Sequence, residues 1–315
     1  MYMIQSELFV APALEHKEQG LRQLDELNFT VALEHFTIAK EIDPNLADLD
    51  FLSALSEYAS RHGVKPQASP AKLAALWHAA QQSHQNDDLS WAAYQHLLQL
   101  IARRLLHLGQ FTLEGFCLEK DDILHRGVLH IVLQEWEAAH HELLNLATRQ
   151  PDKTRALHWG YLGDAAHNLR RWKDANLAYI CALFSNPLEV DRQRLQHPEL
   201  LALVRSLLYE FDDASYAGAL WPIQAWMKNI LQIPPGGQAF LLPLIRQQRS
   251  LLGSELMLEP AQRVRQFSLC LYIDQSGLHG EIQFDAREEM KNLEPELFVE
   301  YLREIEKRAG KRHFL

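Results

Sequence analysis

Cysteine is scarce in this sequence, and its three copies lie far apart. Cys117, Cys181 and Cys270 form no CxxC pair, which a zinc site or a redox dithiol would need. An odd number of widely spaced thiols also argues against a disulfide framework. We therefore expect buried, reduced thiols in a cytoplasmic protein.

Long apolar runs are missing as well. No stretch approaches the roughly 18 uninterrupted apolar residues that a membrane-spanning helix requires. Near the start of the chain, Glu7 and Glu15 stand where a secretory leader would be basic. The sequence thus predicts a cytoplasmic protein with no membrane partner.

The motifs of common catalytic and nucleotide-binding sites are also lacking: GxxxxGK, GxGxxG after a strand, HExxH and GxSxG. The 16 histidines include acid–histidine pairs three residues apart, such as Glu137 with His140 and Asp164 with His167. Such a pair shares one helix face, but a metal site in a helical bundle needs several more inward carboxylates. We expect no catalytic residue, no cofactor and no metal.

Positive charge is rare in the first part of the chain. Residues 1–60 contain 3 lysines and arginines against 11 aspartates and glutamates, which is most of the formal net charge of −10. This region would repel a nucleic-acid backbone, so no nucleic-acid partner is expected. A basic partner surface would suit it, and so would a simple solvated helix face.

The chain does contain apolar residues at helical intervals, with small residues at regular spacings among them. It is 47% hydrophobic and 23% charged over 315 residues, enough to bury a large core. Glycine and proline number only 14 and 13, so their spacing is informative. In the segment from Trp159 to Pro187, Gly163 and Ala175 are the small residues that would let two helices approach closely. Trp159, Leu162 and Tyr179 would fill the space around them.

The same spacing occurs twice more. Counting from Ala156, a glycine is the eighth residue, an alanine the twentieth and a proline the thirty-second. A copy that begins at Lys120 places Gly127, Ala139 and Pro151 at the same points. A copy that begins at Ala13 does so with Gly20, Ala32 and Pro44, and adds Phe36 where the first has Tyr179.

These three segments, Ala156–Glu189, Lys120–Lys153 and Ala13–Leu46, resemble the tetratricopeptide repeat, which folds as two antiparallel helices. The resemblance implies an all-α fold in which helical hairpins form an α-solenoid or superhelix, here capped by further C-terminal helices. It divides the chain into an acidic hairpin over residues 1–60, hairpins that include two repeats over 70–190, and a C-terminal helical region over 191–315.

The resemblance also implies a peptide-binding groove on the first helix of each repeat. In the copy from Ala156 the groove residues would be Leu157, Gly160, Asp164, His167 and Asn168, with Arg171 just beyond. In the copy from Lys120 they would be Asp121, Leu124, Val128, Ile131 and Val132. The second set is apolar, so it either receives a hydrophobic segment or is covered by the C-terminal helices of the chain itself.

The remainder of the chain reads as helices and loops. We predict a loop over 61–70, a helix from Pro70, a helix over 88–108, and helices over 198–211, 218–231, 238–252 and 260–274. A last helix or helix pair is predicted over 285–307. The alternation of Leu269, Leu271 and Ile273 also allows a β-hairpin across 267–284, but Pro260 at a helix start favours helix.

The empty motif search and the repeats together favour an interaction protein. The leading hypothesis is a helical-repeat adaptor, scaffold, chaperone or assembly factor that binds a protein or peptide in its groove. The alternative is an enzyme or small-molecule sensor whose site lies in the C-terminal helical region, with the repeats as a frame.

Overall fold

A computed structural model describes residues 3–121, 123–236, 258–278 and 285–312 of the chain. The described residues form fourteen α-helices and no β-strand, apart from one isolated antiparallel bridge between Phe116 and His125. The all-α prediction is therefore confirmed for these residues. The chain divides into two compact units, residues 1–135 and 136–315.

The first unit contains six of these helices: α1 (Met3–Asp25), α2 (Phe29–Ile42), α3 (Leu49–Arg61), α4 (Pro70–Gln85), α5 (Trp91–Leu108) and α6 (Arg126–Val132). Pro70 stands in the first turn of α4, where its missing N–H costs nothing. Gly109, with φ of +63°, ends α5. Helix α3, whose leucines at helical intervals are buried, is not among the helices predicted from the sequence.

The loop between α5 and α6 corrects one prediction. The repeat that begins at Lys120 implied a helix from its first residue, but α6 starts only at Arg126. Asp121 Oδ1 accepts hydrogen bonds from the amides of Ile123 (2.9 Å) and Leu124 (3.0 Å). These side-chain bonds satisfy the amides of Ile123 and Leu124 in a turn, so those residues are not part of the helix. The imidazole of His125 then caps α6 by accepting the Gly127 N–H at 3.0 Å.

The second unit contains eight described helices: α7 (Trp136–Arg149), α8 (Ala156–Asn168), α9 (Trp172–Ser185), α10 (Pro198–Glu210), α11 (Ala214–Met227), α12 (Pro260–Ser276), α13 (Ala286–Leu293) and α14 (Pro295–Arg312). Its core lies among α9, α11 and α12, whose side chains are buried on nearly every face. Trp221, Trp226, Tyr179 and Tyr272 are the bulkiest of them.

The helices after Pro187 largely follow the predictions. α10 and the pair α13 and α14 lie where they were expected, and α12 is helical through Ser276, which confirms helix over strand for 260–274. α11 begins four residues earlier than predicted, because Asp213 accepts hydrogen bonds from the amides of Ser215 and Tyr216 and so caps it there. The predicted helix over 238–252 and residues 279–284 lie outside the described residues.

Three of the helical turns share one geometry. Leu27, Gln134 and Arg170 have φ of 60°, 60° and 59°, and each is the fifteenth residue of its repeat copy. In each case the following amide bonds to a carbonyl five residues back, as in Arg171 N–H to Ala166 O at 2.8 Å. This arrangement closes a helix with a left-handed residue. Asp87 and Asn229 end α4 and α11 in the same way.

Two hairpins also share a close approach at glycine. A Cβ on Gly163 of α8 would lie 2.6 Å from the ring of Tyr179 on α9, and a Cβ on Gly20 of α1 would lie 2.5 Å from the ring of Phe36 on α2. Both distances are far shorter than van der Waals contact. Only glycine therefore fits at these two places without a shift of the partner ring.

The three cysteines are free and buried, as predicted. Burial raises the pKa of the Cys117 and Cys270 thiols to about 12. They are therefore protonated and poorly nucleophilic at neutral pH. None of the helices in the described ranges has both the length and the apolar content needed to cross a bilayer.

Candidate functional site

A pocket of about 700 Å³ opens beside the first turns of α9 in the second unit. One wall is formed by α9 itself, from Trp172 to Leu177. His167, in the last turn of α8, and His197, just before α10, form a second wall. The third is the segment from Ile230 to Pro235 that follows α11.

Aromatic rings line one corner of this pocket, here called the α9 pocket. The His167 ring meets the edge of the Trp172 indole, with 5.1 Å between ring centroids. The His197 ring lies 5.2 Å from that of His167 and 5.5 Å from that of Tyr179. Trp172 keeps 58% of its surface exposed, which is unusual for so large an apolar side chain. The pocket therefore offers an aromatic surface that the chain itself leaves partly uncovered.

The third wall is held in place by hydrogen bonds to two helices. Asn176 on α9 donates its side-chain amide to Gln232 O at 2.9 Å and accepts the Gln232 N–H at 3.0 Å. Four residues later, the Gly236 N–H donates to Ser276 O on α12 at 2.8 Å. The wall is thus fastened on both sides of Ile233 and Pro234, which are half-buried.

The imidazoles of the pocket are held in their neutral form. Burial lowers the pKa of His167 below its usual value. Burial lowers the pKa of His197 too, and the neighbouring His167 adds to the effect. At pH 7 each ring can consequently donate one hydrogen bond and accept another. His197 uses Nδ1 to accept the Leu200 N–H at 3.4 Å, at the start of α10.

A buried carboxyl group lies next to these residues. Asp164 on α8 is only 2% exposed. Its Oδ1 accepts hydrogen bonds from the Tyr179 hydroxyl at 2.7 Å and from the Gln196 N–H at 2.8 Å. Burial outweighs these two donors and raises the pKa of Asp164 to about 8. The Asp164 carboxyl group is therefore mostly protonated at pH 7. Its hydrogen bonds link α8 to α9 and to Gln196, the residue before His197.

The predicted groove residues of the second unit lie in different surroundings. His167 lines the α9 pocket. Asp164 points into the interior, so its carboxyl group is not available to a surface ligand, contrary to the role proposed for it. Asn168 is exposed and donates to the Asp164 main-chain O at 2.9 Å. Arg171 is exposed, with Nη1 3.2 Å from His140 Nδ1, and Leu157 is half-buried on α8.

The predicted groove residues of the first unit are occupied by internal contacts. Besides its bonds to the loop amides, Asp121 accepts a hydrogen bond from His78 Nε2 at 2.8 Å through Oδ2. Hydrogen bonds from His78 and from the two backbone amides lower the pKa of Asp121, and the same pair raises that of His78. Leu124 is fully buried, as are the neighbouring apolar side chains of α6, Val128, Ile131 and Val132. The apolar strip is therefore covered, in part by α5, which packs against α6.

Sequence reasoning missed most of the α9 pocket. Trp172, Asn176, His197 and Gln232 were not singled out. Trp172 could have been, since it follows two arginines at the start of a second repeat helix, outside the positions that the repeat pattern buries. Across the described ranges, no group of three or more histidine, cysteine, aspartate or glutamate side chains is placed to hold a metal ion.

Comparison with protein-family models, with curated proteins and with solved structures finds no match to this chain.

Proposed function

We propose that this protein is an interaction module that binds a segment of another protein in the α9 pocket. The observation that carries the proposal is the exposed Trp172, which stands on the wall of a fastened pocket of about 700 Å³. A large aromatic side chain left half open in a structured recess is typical of a binding hot spot. An adaptor, scaffold, chaperone or assembly role fits such a module equally well.

The repeat-like hairpins support this proposal. In all three copies the second helix spans the same fourteen residues of the copy, as α2, α7 and α9, and the left-handed turn before it recurs. That turn also ends α4 and α11, which lack the repeat signature, so the turn alone is not diagnostic. The contact of glycine with an aromatic ring in two copies is more specific. We take the hairpins to be of the tetratricopeptide type, arranged in a solenoid or superhelix, whose members bind extended segments or helices.

The shape and chemistry of the pocket suit a peptide. Apolar surface from Trp172, Ile233 and Pro234 would bury side chains, while the neutral His167 ring can hydrogen-bond to a peptide group. Pockets that bind protein segments combine apolar contact with a few fixed polar groups in this way. The free cysteines are compatible with the reducing cytoplasm, where we place this activity.

The experiment compares what the intact chain and two variants retain from a cell extract. Trp172→Ala removes the exposed ring of the pocket. Tyr209→Ala removes an aromatic side chain of α10 that is 95% exposed and lies outside the pocket, so it is the matched control. We expect a protein that is retained by the wild type and by Tyr209→Ala and is lost from Trp172→Ala. If every retained protein binds all three equally, the pocket is not the binding site.

A second function is favoured by the size of the pocket. A volume of about 700 Å³ lies in the range of small-molecule sites, and the whole third wall belongs to the C-terminal region. The protein would then be a small-molecule sensor or an enzyme. Native mass spectrometry of the purified chain would reveal a bound compound in the wild type and in Tyr209→Ala that is missing from Trp172→Ala. That result, without a retained protein, would replace the first proposal with this one.

A further inference from the structure

Resting on the proposed function, we infer that the α9 pocket takes an acidic segment, in which a carboxylate side chain lies near Lys173 and an apolar neighbour packs on Trp172. This assigns the pocket a partner chemistry opposite to that expected from residues 1–60, whose acidity would suit a basic surface. The pocket lies in the other unit of the chain, and its own charges decide what it binds.

The exposed side chains around the start of α9, next to the pocket, carry a net positive charge. Arg170, Arg171 and Lys173 are exposed around the start of α9, and Asp174 is the acidic side chain beside them. None of the four makes an ion pair with another described residue, unlike Arg22, Arg61 and Lys307, which pair with carboxylates on their own helices. In a protein with a net charge of −10, this local excess is suited to attract an anionic segment.

The hydrogen-bonding groups of the pocket point to the same partner. Asn176 uses both ends of its side-chain amide on Gln232, and His197 uses Nδ1 on Leu200. By contrast, no hydrogen bond joins the His167 ring, the Lys173 ammonium or the Asp174 carboxylate to any residue in the described parts of the chain. Lys173 can only donate, and the neutral His167 ring donates from one nitrogen. Carboxylate oxygens are acceptors, so they fit the Lys173 and His167 donors, and the three exposed cations Arg170, Arg171 and Lys173 outnumber the single carboxylate of Asp174.

The apolar surface of the α9 pocket requires that the bound segment also carry an apolar side chain. Trp172 is 58% exposed, and Ile230, Ile233 and Pro234 are each half-buried at the opposite side of the pocket. A segment made only of acidic residues would leave this surface in contact with water. A leucine or aromatic side chain next to the carboxylate would cover it, which is favourable in proportion to the area buried.

The inference is tested with three fluorescein-labelled pools of short peptides, measured by fluorescence anisotropy against the intact chain. All pools alternate leucine or phenylalanine with a second residue, which is aspartate or glutamate in the acidic pool, asparagine or glutamine in the amide pool, and lysine or arginine in the basic pool. The variants are Lys173→Glu, Trp172→Ala, and the matched control Lys291→Glu, which reverses an exposed lysine of α13 outside the pocket. Circular dichroism confirms that each variant is folded.

We expect the acidic pool to bind more tightly than the amide pool, and the basic pool to bind most weakly. Lys173→Glu should weaken the acidic pool about five-fold, as expected for replacing an exposed attraction with a repulsion, and leave the amide pool unchanged. Lys291→Glu should change neither. Trp172→Ala should weaken every pool, by about ten-fold for an aromatic hot spot, and added salt should weaken only the acidic pool.

Two contrary results have different meanings. If the amide or basic pool binds as tightly as the acidic pool and Trp172→Ala still weakens it, the pocket binds peptides but the acidic assignment is wrong. If no pool binds, or if Trp172→Ala changes nothing, both the assignment and the proposed peptide-binding function are wrong.

Discussion

The hairpin of α1 and α2 and the hairpin of α8 and α9 share the same close contact between their helices but differ in the polar groups beside it. In both, a glycine on the first helix lies against an aromatic ring on the second, Gly20 against Phe36 and Gly163 against Tyr179. In the first hairpin the residue after the glycine is Leu21, and the ring carries no polar group. In the second it is Asp164, whose buried carboxyl accepts a hydrogen bond from the Tyr179 hydroxyl.

This difference shows which part of the pattern is general. The glycine allows the ring to approach, and that requirement is steric, so it is the same in both hairpins. The paired hydroxyl and carboxyl are an addition that only the second hairpin makes. The Asp164 carboxyl also accepts the Gln196 N–H, and so connects that hairpin to the segment that carries His197 into the α9 pocket.

The largest expected effect is a loss of stability with rising pH that is caused by Asp164, and it should be confined to the second hairpin. The folded-state pKa of Asp164 is raised to about 8, above the value near 4 of the unfolded chain. Between these pH values the folded protein keeps a proton that the unfolded chain has released, so the contribution of Asp164 to stability is largest below pH ~4 and is lost as pH rises to ~8. The expected slope of the unfolding free energy is about 1.4 kcal/mol per pH unit.

Hydrogen exchange with mass spectrometry measures this loss separately for peptides from each hairpin. Asp164→Asn keeps an uncharged, hydrogen-bonding group in place and should remove the slope from α8 and α9. The α1 and α2 peptides should show no comparable change in either protein. An unchanged slope in Asp164→Asn would mean that another group causes the pH dependence.

The next effect tests whether the two glycines are equivalent. Gly163→Ala and Gly20→Ala each place a methyl group within 2.6 Å of a ring and should each lower the unfolding free energy by about 1–3 kcal/mol. The loss should be larger at Gly163, because Tyr179 cannot turn away without losing its bond to Asp164. Urea unfolding measures both.

Gly160→Ala is the matched control for this comparison. It lies on the same helix α8, and its added methyl would approach only Val190, at 3.4 Å. Since alanine favours helix more than glycine does, this variant should be neutral or stabilised by up to about 1 kcal/mol. Equal losses at all three glycines would show that the rings do not determine the cost.

A smaller effect is expected when the aromatic residues of the two hairpins are exchanged, so that each hairpin carries the type of ring found in the other. Tyr179→Phe removes one of the two hydrogen-bond donors to Asp164 and should cost about 1–2 kcal/mol. Phe36→Tyr should cost about as much, because Phe36 is fully buried and the residue after Gly20 is Leu21, which offers the added hydroxyl no carboxyl. Thermal unfolding followed by circular dichroism measures both. A stable Phe36→Tyr protein would show that the first hairpin has room for a polar partner after all.

The smallest effect concerns the turn that the hairpins share. Arg170 and Leu27 both adopt a left-handed conformation, which disfavours side chains with a Cβ. Arg170 is exposed, so Arg170→Gly should stabilise the protein by about 0.5–1 kcal/mol. Leu27 is fully buried, so Leu27→Gly should destabilise it, since the lost burial exceeds the relief of strain. A gain in urea resistance for both variants would mean that Leu27 contributes little to the core.

Much of the fold could be predicted because its signals are local. Periodic apolar residues and the spacing of Gly163 and Ala175 place α8 and α9 correctly, and Pro260 marks the start of α12. The short α6 could not be predicted this way. There the side chain of Asp121 bonds to nearby amides, and such competition with the helix is invisible to a repeat pattern.

The candidate site was harder to predict because it is assembled from distant residues. The periodicity of α8 placed Asp164 and His167 near one another, yet it could not show that one turns inward to Tyr179 and the other outward. The pocket also depends on Gln232, which is 56 residues from its partner Asn176. No pattern within a single helix contains that contact, so the third wall appears only once the chain is folded.

The side-chain amide of Asn176 makes the same two hydrogen bonds to the Gln232 backbone that a peptide group of a neighbouring β-strand would make. Both bonds lie at the protein surface, where water competes for the same atoms, so breaking them requires far less free energy than unfolding the helices behind them. The wall is therefore expected to be less stable than the core to which these bonds fasten it. For the proposed binding function, a substitution at Asn176 should weaken binding without lowering the melting temperature appreciably.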